Sequence, residues 1–205
     1  VRQTPEASGW DLRARLDQDG LDRRVAVSLS VGPEGRANRT AKLDEAPVSQ
    51  NDLAELIRIV WMTPAMDRVF AGPAGDRRKF FDRQVLAHFP SHARESAAYE
   101  KAMRERNVLL ESDRPDPVWM DAVEARLSEA GAAIAVNRAR VLVRMQQAIN
   151  DRPEGHFPKA DLKLAGEAEE MAEAGSDLAA IEDLISGAMR EGRRRDMTAG
   201  RTLFG

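Results

Sequence analysis

Apolar and polar residues alternate along the start of the chain. Trp10, Leu12, Ala14 and Leu16 fall on one side, and Asp11, Arg13, Arg15 and Asp17 on the other. A period of two over this length predicts a half-buried strand. Val25, Val27, Leu29 and Val31 repeat the pattern after the Asp19-Gly20 turn pair, and a weaker third strand is expected over residues 36–43, after Gly32-Pro33-Glu34-Gly35. Three strands joined by short turns predict an antiparallel meander with one wet face.

The period then changes. Ser49 with Asp52 three residues on has the form of a capping box and opens a short helix through Gln50-Asn51, with Leu53, Leu56 and Ile57 as its apolar face. Residues 59–62 form a compact apolar run expected to be a buried strand. Thr63-Pro64 and Gly72-Pro73 each place a capping residue before a proline at a helix start. Helices are expected to end near Phe89-Pro90, over Ser91–Glu111 with Tyr99, Met103, Arg106 and Leu110 on one face, and over Val118–Asn150 beyond the rigid Arg114-Pro115-Asp116-Pro117 connection. In the last of these, Trp119, Val123, Leu127, Ala130 and Ile134 step by four, four, three and four, and Val141, Met145 and Ile149 continue the stripe. At 1.5 Å per residue that helix is on the order of 50 Å long, so part of it is expected to project as an arm. Gly131 in its middle implies a close helix crossing. A possible strand at residues 160–165, an acidic helix at Glu167–Ala174 closed by Gly175, and a helix capped by Ser176 and running to about Arg195 complete the chain. A further strand is expected to begin at Arg201–Phe204.

Composition narrows the chemistry. There is no cysteine, which excludes disulfides, Cys-based zinc sites and a thiol nucleophile and fits a reducing compartment. Aromatics are sparse, at 5%, favouring helices packed through small residues. No apolar run approaches the roughly 20 residues that span a bilayer. The net charge of −3 gives no global attraction for nucleic acid, so any such contact rests on a local patch. The chain begins at Val1 and ends on Leu203-Phe204-Gly205, and is expected to be a segment of a longer protein.

Few residues suggest a site. No G-x-x-x-x-G-K-[ST] is present, so the chain carries no P-loop. His88 and His92 stand four apart, a metal-ligand spacing on one helix, but Pro90 lies between them and no third ligand is evident; a helix-end role is the simpler reading. Glu167, Glu169, Glu170 and Glu173 read as a solvated face, and Arg193-Arg194-Arg195 as a helix end complementing the macrodipole, with a phosphate contact as the alternative. The stretch from Trp61 to Asp82, between the strands and the long helices, is more specific. It carries Arg77, Arg78, Lys79 and Arg83 within two helical turns after a glycine-rich entry. One reading is an exposed face partly neutralised by Asp76 and Asp82; the other is a helix facing phosphates.

The run from Pro64 to Asp82, PAMDRVFAGPAGDRRKFFD, resembles the signature of the RecF family: Pro, a spacer, two apolar residues, a Gly-x-Pro-like turn, Arg-Arg, an aromatic, an apolar residue and Asp. Tyr99-Glu100 followed by Arg106-Asn107-Val108-Leu109-Leu110 is similar to the family's Tyr-Glu…Arg-Asn-x-Leu-Leu helix. Lys42–Val48 resembles its strand-turn, and Thr202-Leu203-Phe204-Gly205 the start of its Thr-Leu-x-Gly-Pro-His-Arg motif. The resemblance covers essentially the whole chain. Trp61–Pro64 sits where related ATPases carry a Q-loop but holds no glutamine, and Ala65 and Met66 stand where many members have acids, leaving Asp67.

The resemblance implies an α+β fold: an antiparallel meander from an ABC-type head like that of SMC and Rad50 proteins, then a helical lid or arm. Expected parts are residues 1–70 in the head, 71–155 as lid or arm, and 156–205 as the return to the head. It implies a cytoplasmic, ATP-dependent DNA-binding protein of replication, recombinational repair and the SOS response. Such a protein binds gapped or double-stranded DNA, dimerises with ATP and assists RecA loading with RecO and RecR. ATP and Mg2+ belong to the intact, weakly hydrolysing protein, whose phosphate cradle would precede Val1 and whose Walker B acids would follow Gly205; this segment alone is expected to bind neither and to be inactive. Arg77 and Arg78 are expected to face DNA or a dimer partner, supported by Arg68 and Lys79. The alternative is a helical module that docks RecR or a second protomer with its arginines merely solvated.

Overall fold

The structure, a computed structural model, describes residues 9–18, 20–32, 35–49, 52–53, 56–112 and 115–204, with Gln18 and Ala65 as backbone only. The expected turn residues Asp19, Pro33 and Glu34, the capping-box interior Gln50-Asn51, Arg114 and Gly205 lie outside the described residues. The chain divides into two compact units, Val1–Ile59 and Val60–Gly205. The second unit takes in residues 60–70 together with 71–155 and 156–205.

The first unit is an antiparallel sheet of order β1-β2-β3-β4, with β1 Gly9–Gln18, β2 Leu21–Val31, β3 Ala37–Leu43 and β4 Ala46–Val48. The alternation sets the register. Leu12 pairs with Val27, which pairs with Ala41, and Ala14 pairs with Val25, which pairs with Leu43. One face is therefore apolar, with Val25 and Ala41 buried on it. The short strand β4 was not legible in advance, because its turn is Asp44-Glu45 rather than an Asn-Gly pair. Both turn residues take positive φ, 49° and 71°. The Asp44 carboxylate accepts from the Arg24 amide at 2.7 Å and from Arg23 Nε at 2.6 Å, which holds the turn. Ser49 and Asp52 make the reciprocal capping bonds, at 3.0 and 3.1 Å.

The expected strand at residues 59–62 is absent. An apolar run becomes a strand only where a neighbour takes its backbone hydrogen bonds, and none of β1–β4 does. Ile59, Val60, Trp61 and Met62 are all more than half exposed.

The second unit holds helices α1 Ala74–His88, α2 His92–Leu110, α3 Pro117–Asn150, α4 Glu167–Glu173 and α5 Leu178–Ala199. Pro64–Met66 is a single 3-10 turn, closed by the Met66 amide on the Thr63 carbonyl at 2.9 Å. Pro73 itself occupies the cap of α1, one residue later than Gly72-Pro73 suggested. Asp116 caps α3 by accepting from Val118 N at 2.9 Å, with Pro117 in the first turn. Asp177, not Ser176, caps α5. The segment 160–165 is not a strand. Its backbone is met by side chains instead, with the Leu162 amide on Gln146 Oε1 at 2.9 Å.

Helix α3 is the centre of this unit. It packs on α1, α2, α4 and α5, and it buries residues from Met120 to Leu142. Val123, Leu127, Ile181, Ile185 and Met189 form much of the core. Only the last two turns, after Leu142, lack a buried residue, so the expected projecting arm is reduced to that end. The predicted stripe is buried from Val123 to Val141; Trp119 at its start is 56% exposed, and Met145 and Ile149 at its end are half-buried. Gly131 sits at a close crossing: a Cβ there would lie 3.0 Å from Ile185 Cδ1 and 3.4 Å from Tyr99 Cε2. At the end of the chain, residues 201–204 form no strand.

Candidate nucleic-acid interface

The basic cluster opens α1, where the aperiodic stretch from residue 60 gives way to a helix of low amphipathicity. Arg68, Arg77, Arg78 and Lys79 are all exposed. Arg77 is partly committed: its Nη1 donates to the Gly72 carbonyl at 2.6 Å, tying the helix to the turn before it. Arg83 lies over the Trp61 ring, 5.5 Å from its centroid, and Arg83 Nε donates to the Lys79 carbonyl at 3.2 Å. Arg68, Arg78 and Lys79 form no ion pair among the described residues.

Neutralisation by Asp82 does not occur, because Asp82 turns inward. Arg138 on α3 grips it with two bonds, Nε to Oδ1 at 2.7 Å and Nη2 to Oδ2 at 2.8 Å, and Arg138 Nη1 donates to Glu169 on α4 at 2.7 Å. The buried His92 Nε2 stands 3.4 Å from Asp82 Oδ1. Burial pushes the Asp82 carboxyl up, but His92 and Arg138 outweigh it and hold the pKa down to about 2. The bidentate fork fixes the rotation of α1 on α3. Asp82 thus holds the helix while the arginines at its start stay in solvent. Glu169 is also removed from the expected solvated acidic face, with its side chain only 17% exposed. His88 ends α1 and His92 begins α2, and no cluster of metal-ligating side chains occurs among the described residues.

A second polar network was missed. Arg106 was expected to lay its stem along an apolar surface; it is instead fully buried. Its Nε donates to Glu124 at 3.0 Å, its Nη1 to Asp196 and to the Thr202 hydroxyl, both at 2.7 Å, and its Nη2 to the Met189 carbonyl at 3.0 Å. Asn107 Oδ1 accepts from the Thr202 amide and hydroxyl at 2.9 and 2.8 Å, and Asp196 Oδ1 from the Leu203 amide at 3.1 Å. Arg193, expected to end its helix, bonds Glu124 and Asp121 instead, and α5 runs on to Ala199 before Gly200 closes it at φ 63°. The Arg-Asn and Thr-Leu motifs, distant in sequence, are therefore hydrogen-bonded partners. The signal in the sequence was the single charge of Arg106 on the otherwise apolar face of Tyr99, Met103 and Leu110.

No protein-family model matches the chain. It is 45% identical over 201 residues to the DNA replication and repair protein RecF of Mesorhizobium japonicum, covering 96% of the chain and 52% of that protein. It is 44% identical to the RecF of a Caulobacter species, covering 98% and 54%. The chain thus spans about half the length of the curated relatives it matches. The recombination mediator protein RecF solved with an ATP analogue, described as part of the RecFOR pathway, shares the fold: TM-score 0.79 at 15% identity, over 98% of the chain and 54% of that structure. The same protein solved with ATP gives 0.72.

Proposed function

We propose that this chain, which belongs to the RecF family over the half of those proteins it spans, forms the DNA-facing middle of an ATP-dependent DNA-binding protein. In that reading the intact protein acts in the cytoplasm, in replication, recombinational repair and the SOS response. It dimerises with ATP on gapped or duplex DNA and assists RecA loading with RecO and RecR.

The observation that carries the reading is the clamp between Asp82 and Arg138. A bidentate ion pair fixes α1 while Arg78 and Lys79 on the same helix remain exposed and without an ion pair among the described residues. Cations held in place without internal partners suit phosphate contacts, which position a protein on DNA without reading sequence. No G-x-x-x-x-G-K-[ST] occurs in the chain, and the reading places ATP and Mg2+ in the intact protein.

The test is DNA binding by the full-length protein with Arg77→Glu and Arg78→Glu, across a salt series. Phosphate contacts predict a sharp loss of affinity and a salt slope lowered by about 1 per contact. The protein-docking alternative has its own support in Val108, Val118 and Trp119, apolar and more than half exposed on either side of the connection between α2 and α3. Unchanged DNA affinity with lost binding of RecR or of a second protomer favours it.

A further inference from the structure

We propose that the charged face of the β-sheet is itself a contact for nucleic-acid phosphates, formed by Arg13, Arg15, Arg24 and Lys42. The inference rests on the reading that the protein binds nucleic acid, and adds a surface to it that is separate from α1.

The register places the four cations together. Arg15 and Arg24 are direct cross-strand partners, and Arg13 and Lys42 flank Ala26 from the two neighbouring strands. Like charges directly opposite on a sheet destabilise it, so such a pair is costly in the absence of an anion. Internal compensation is slight. Arg15 and Lys42 have no carboxylate within 4.0 Å among the described residues, and Arg24 reaches only Glu45, at 4.0 Å, with both side chains more than half exposed. Arg13 pairs with Asp11 at 3.0 Å, and Ser28 holds the same carboxylate at 2.6 Å.

The face is shaped as well as charged. The small Ala26 lies at its centre, Thr40 adds a hydroxyl, and with the cations they line an open concavity of about 370 Å³, at whose edges stand Asp11, held by Ser28 and Arg13, and Glu45. Asp17 and Asp22 form the next pair towards the hairpin, and Asp17 accepts from the Gly20 amide at 2.9 Å. These acids close that end to an anion, so the path runs across the strands and not along them.

The occupant is a strand of nucleic acid and not one isolated phosphate group. The cations spread over β1, β2 and β3, about 10 Å across at the usual strand spacing. All four are exposed, and among the described residues no buried side-chain donor lines the concavity to enclose a single phosphate. Guanidinium forks and a hydroxyl on a rigid sheet suit successive phosphates of a polyanion.

The experiment compares the full-length protein with the variants R15Q/R24Q, R77E/R78E and K101Q/R104Q in salt-titrated anisotropy with labelled duplex and single-stranded DNA. K101Q/R104Q makes the same charge change as R15Q/R24Q on the exposed face of α2. The expected result is a salt slope lowered by about 1.8 and affinity reduced by roughly tenfold for R15Q/R24Q, with K101Q/R104Q unchanged. Folding is checked by thermal melting, where R15Q/R24Q should be no less stable because a like-charge pair is removed. An unchanged slope for R15Q/R24Q, an equal loss in both glutamine variants, or no DNA binding by the parent protein each overturns the inference. So does a face whose anion is a free nucleotide or an acidic protein segment, seen as complete competition by ATP or by polyglutamate with no effect of DNA. Loss in R15Q/R24Q with R77E/R78E unaffected supports the sheet and sinks the helix reading, and the reverse result sinks the sheet alone.

Discussion

Arg106 and Thr202 meet through a 2.7 Å hydrogen bond between Nη1 and the hydroxyl. The same guanidinium bonds Glu124 and Asp196, so a buried cation joins α2, α3, α5 and the segment after α5. Without Arg106 the carboxylates of Glu124 and Asp196, both almost fully buried, face each other across a gap with less to neutralise them. Arg106→Met should therefore cost about 3–5 kcal/mol, in the range for breaking a buried pair by removing one partner. Thr202→Val removes two bonds of the hydroxyl, the one it accepts from Arg106 and the one it donates to Asn107, and should cost about 2 kcal/mol. Urea denaturation of the two variants checks the ratio. Equal losses would mean that the arginine acts only through the threonine.

The Asp82–Arg138 clamp makes a pH prediction. The folded pKa of Asp82, about 2, lies below the ordinary aspartate value of about 3.9. A depressed carboxylate pKa contributes stability that is present in full above the unfolded value and lost as pH falls towards the folded one. Asp82 is partly solvent-exposed, so the contribution is on the order of 2 kcal/mol at most. Asp82→Asn should lower stability near neutral pH, and the difference between wild type and variant should shrink between about pH 4 and pH 2. A pH series of denaturant midpoints checks this; a difference that stays constant through that window would remove the clamp from the account.

These two networks also mark what the sequence could and could not disclose. Strands β1, β2 and β3 were readable because strict alternation has one structural meaning when a face is buried. The capping box at Ser49 and the close crossing at Gly131 were readable because each follows from local geometry. Asp82 and Arg106 were misjudged because the choice of a salt-bridge partner is a long-range event. Arg138 is fifty-six residues from Asp82 and Thr202 ninety-six from Arg106, and no periodicity encodes such a choice. The run from Ile59 to Met62 failed for a related reason: its apolarity was visible, but a strand also needs a neighbour. The basic face of the sheet was present in the pattern as the polar half of the alternation, and only the register turned four scattered cations into neighbours.

Gly131 lies where helix propensity and packing oppose each other. Alanine would add about 1 kcal/mol of helix propensity, but its Cβ would press on Ile185 Cδ1 at 3.0 Å, in a core where Ile185 is only 2% exposed. Overpacking costs about 1–3 kcal/mol, so Gly131→Ala should destabilise by about 1 kcal/mol net. The double variant with Ile185→Val, which withdraws the obstructing methyl, should recover part of that loss in a thermodynamic cycle. Strict additivity of the two changes would show that the crossing is not the reason for glycine.

The turn between β3 and β4 gives two substitutions at adjacent residues with opposite signs. Asp44 and Glu45 both hold left-handed backbone, at φ 49° and 71°, where an L-residue pays roughly 1–2 kcal/mol. Glu45 makes only its distant approach to Arg24, so Glu45→Gly relieves strain and sacrifices almost nothing; it should stabilise the sheet by about 0.5–1 kcal/mol. Asp44→Gly relieves the same kind of strain but strips the acceptor from the Arg24 amide and from Arg23 Nε. Those bonds also hold the Asp44 carboxyl below the usual aspartate range. Asp44→Gly should therefore leave the hairpin less ordered despite its freer backbone. Amide hydrogen exchange at Leu43 and Val48 separates the cases, with slower exchange expected in the Glu45 variant and faster exchange in the Asp44 variant. The same direction of change in both would mean that backbone strain alone governs this turn.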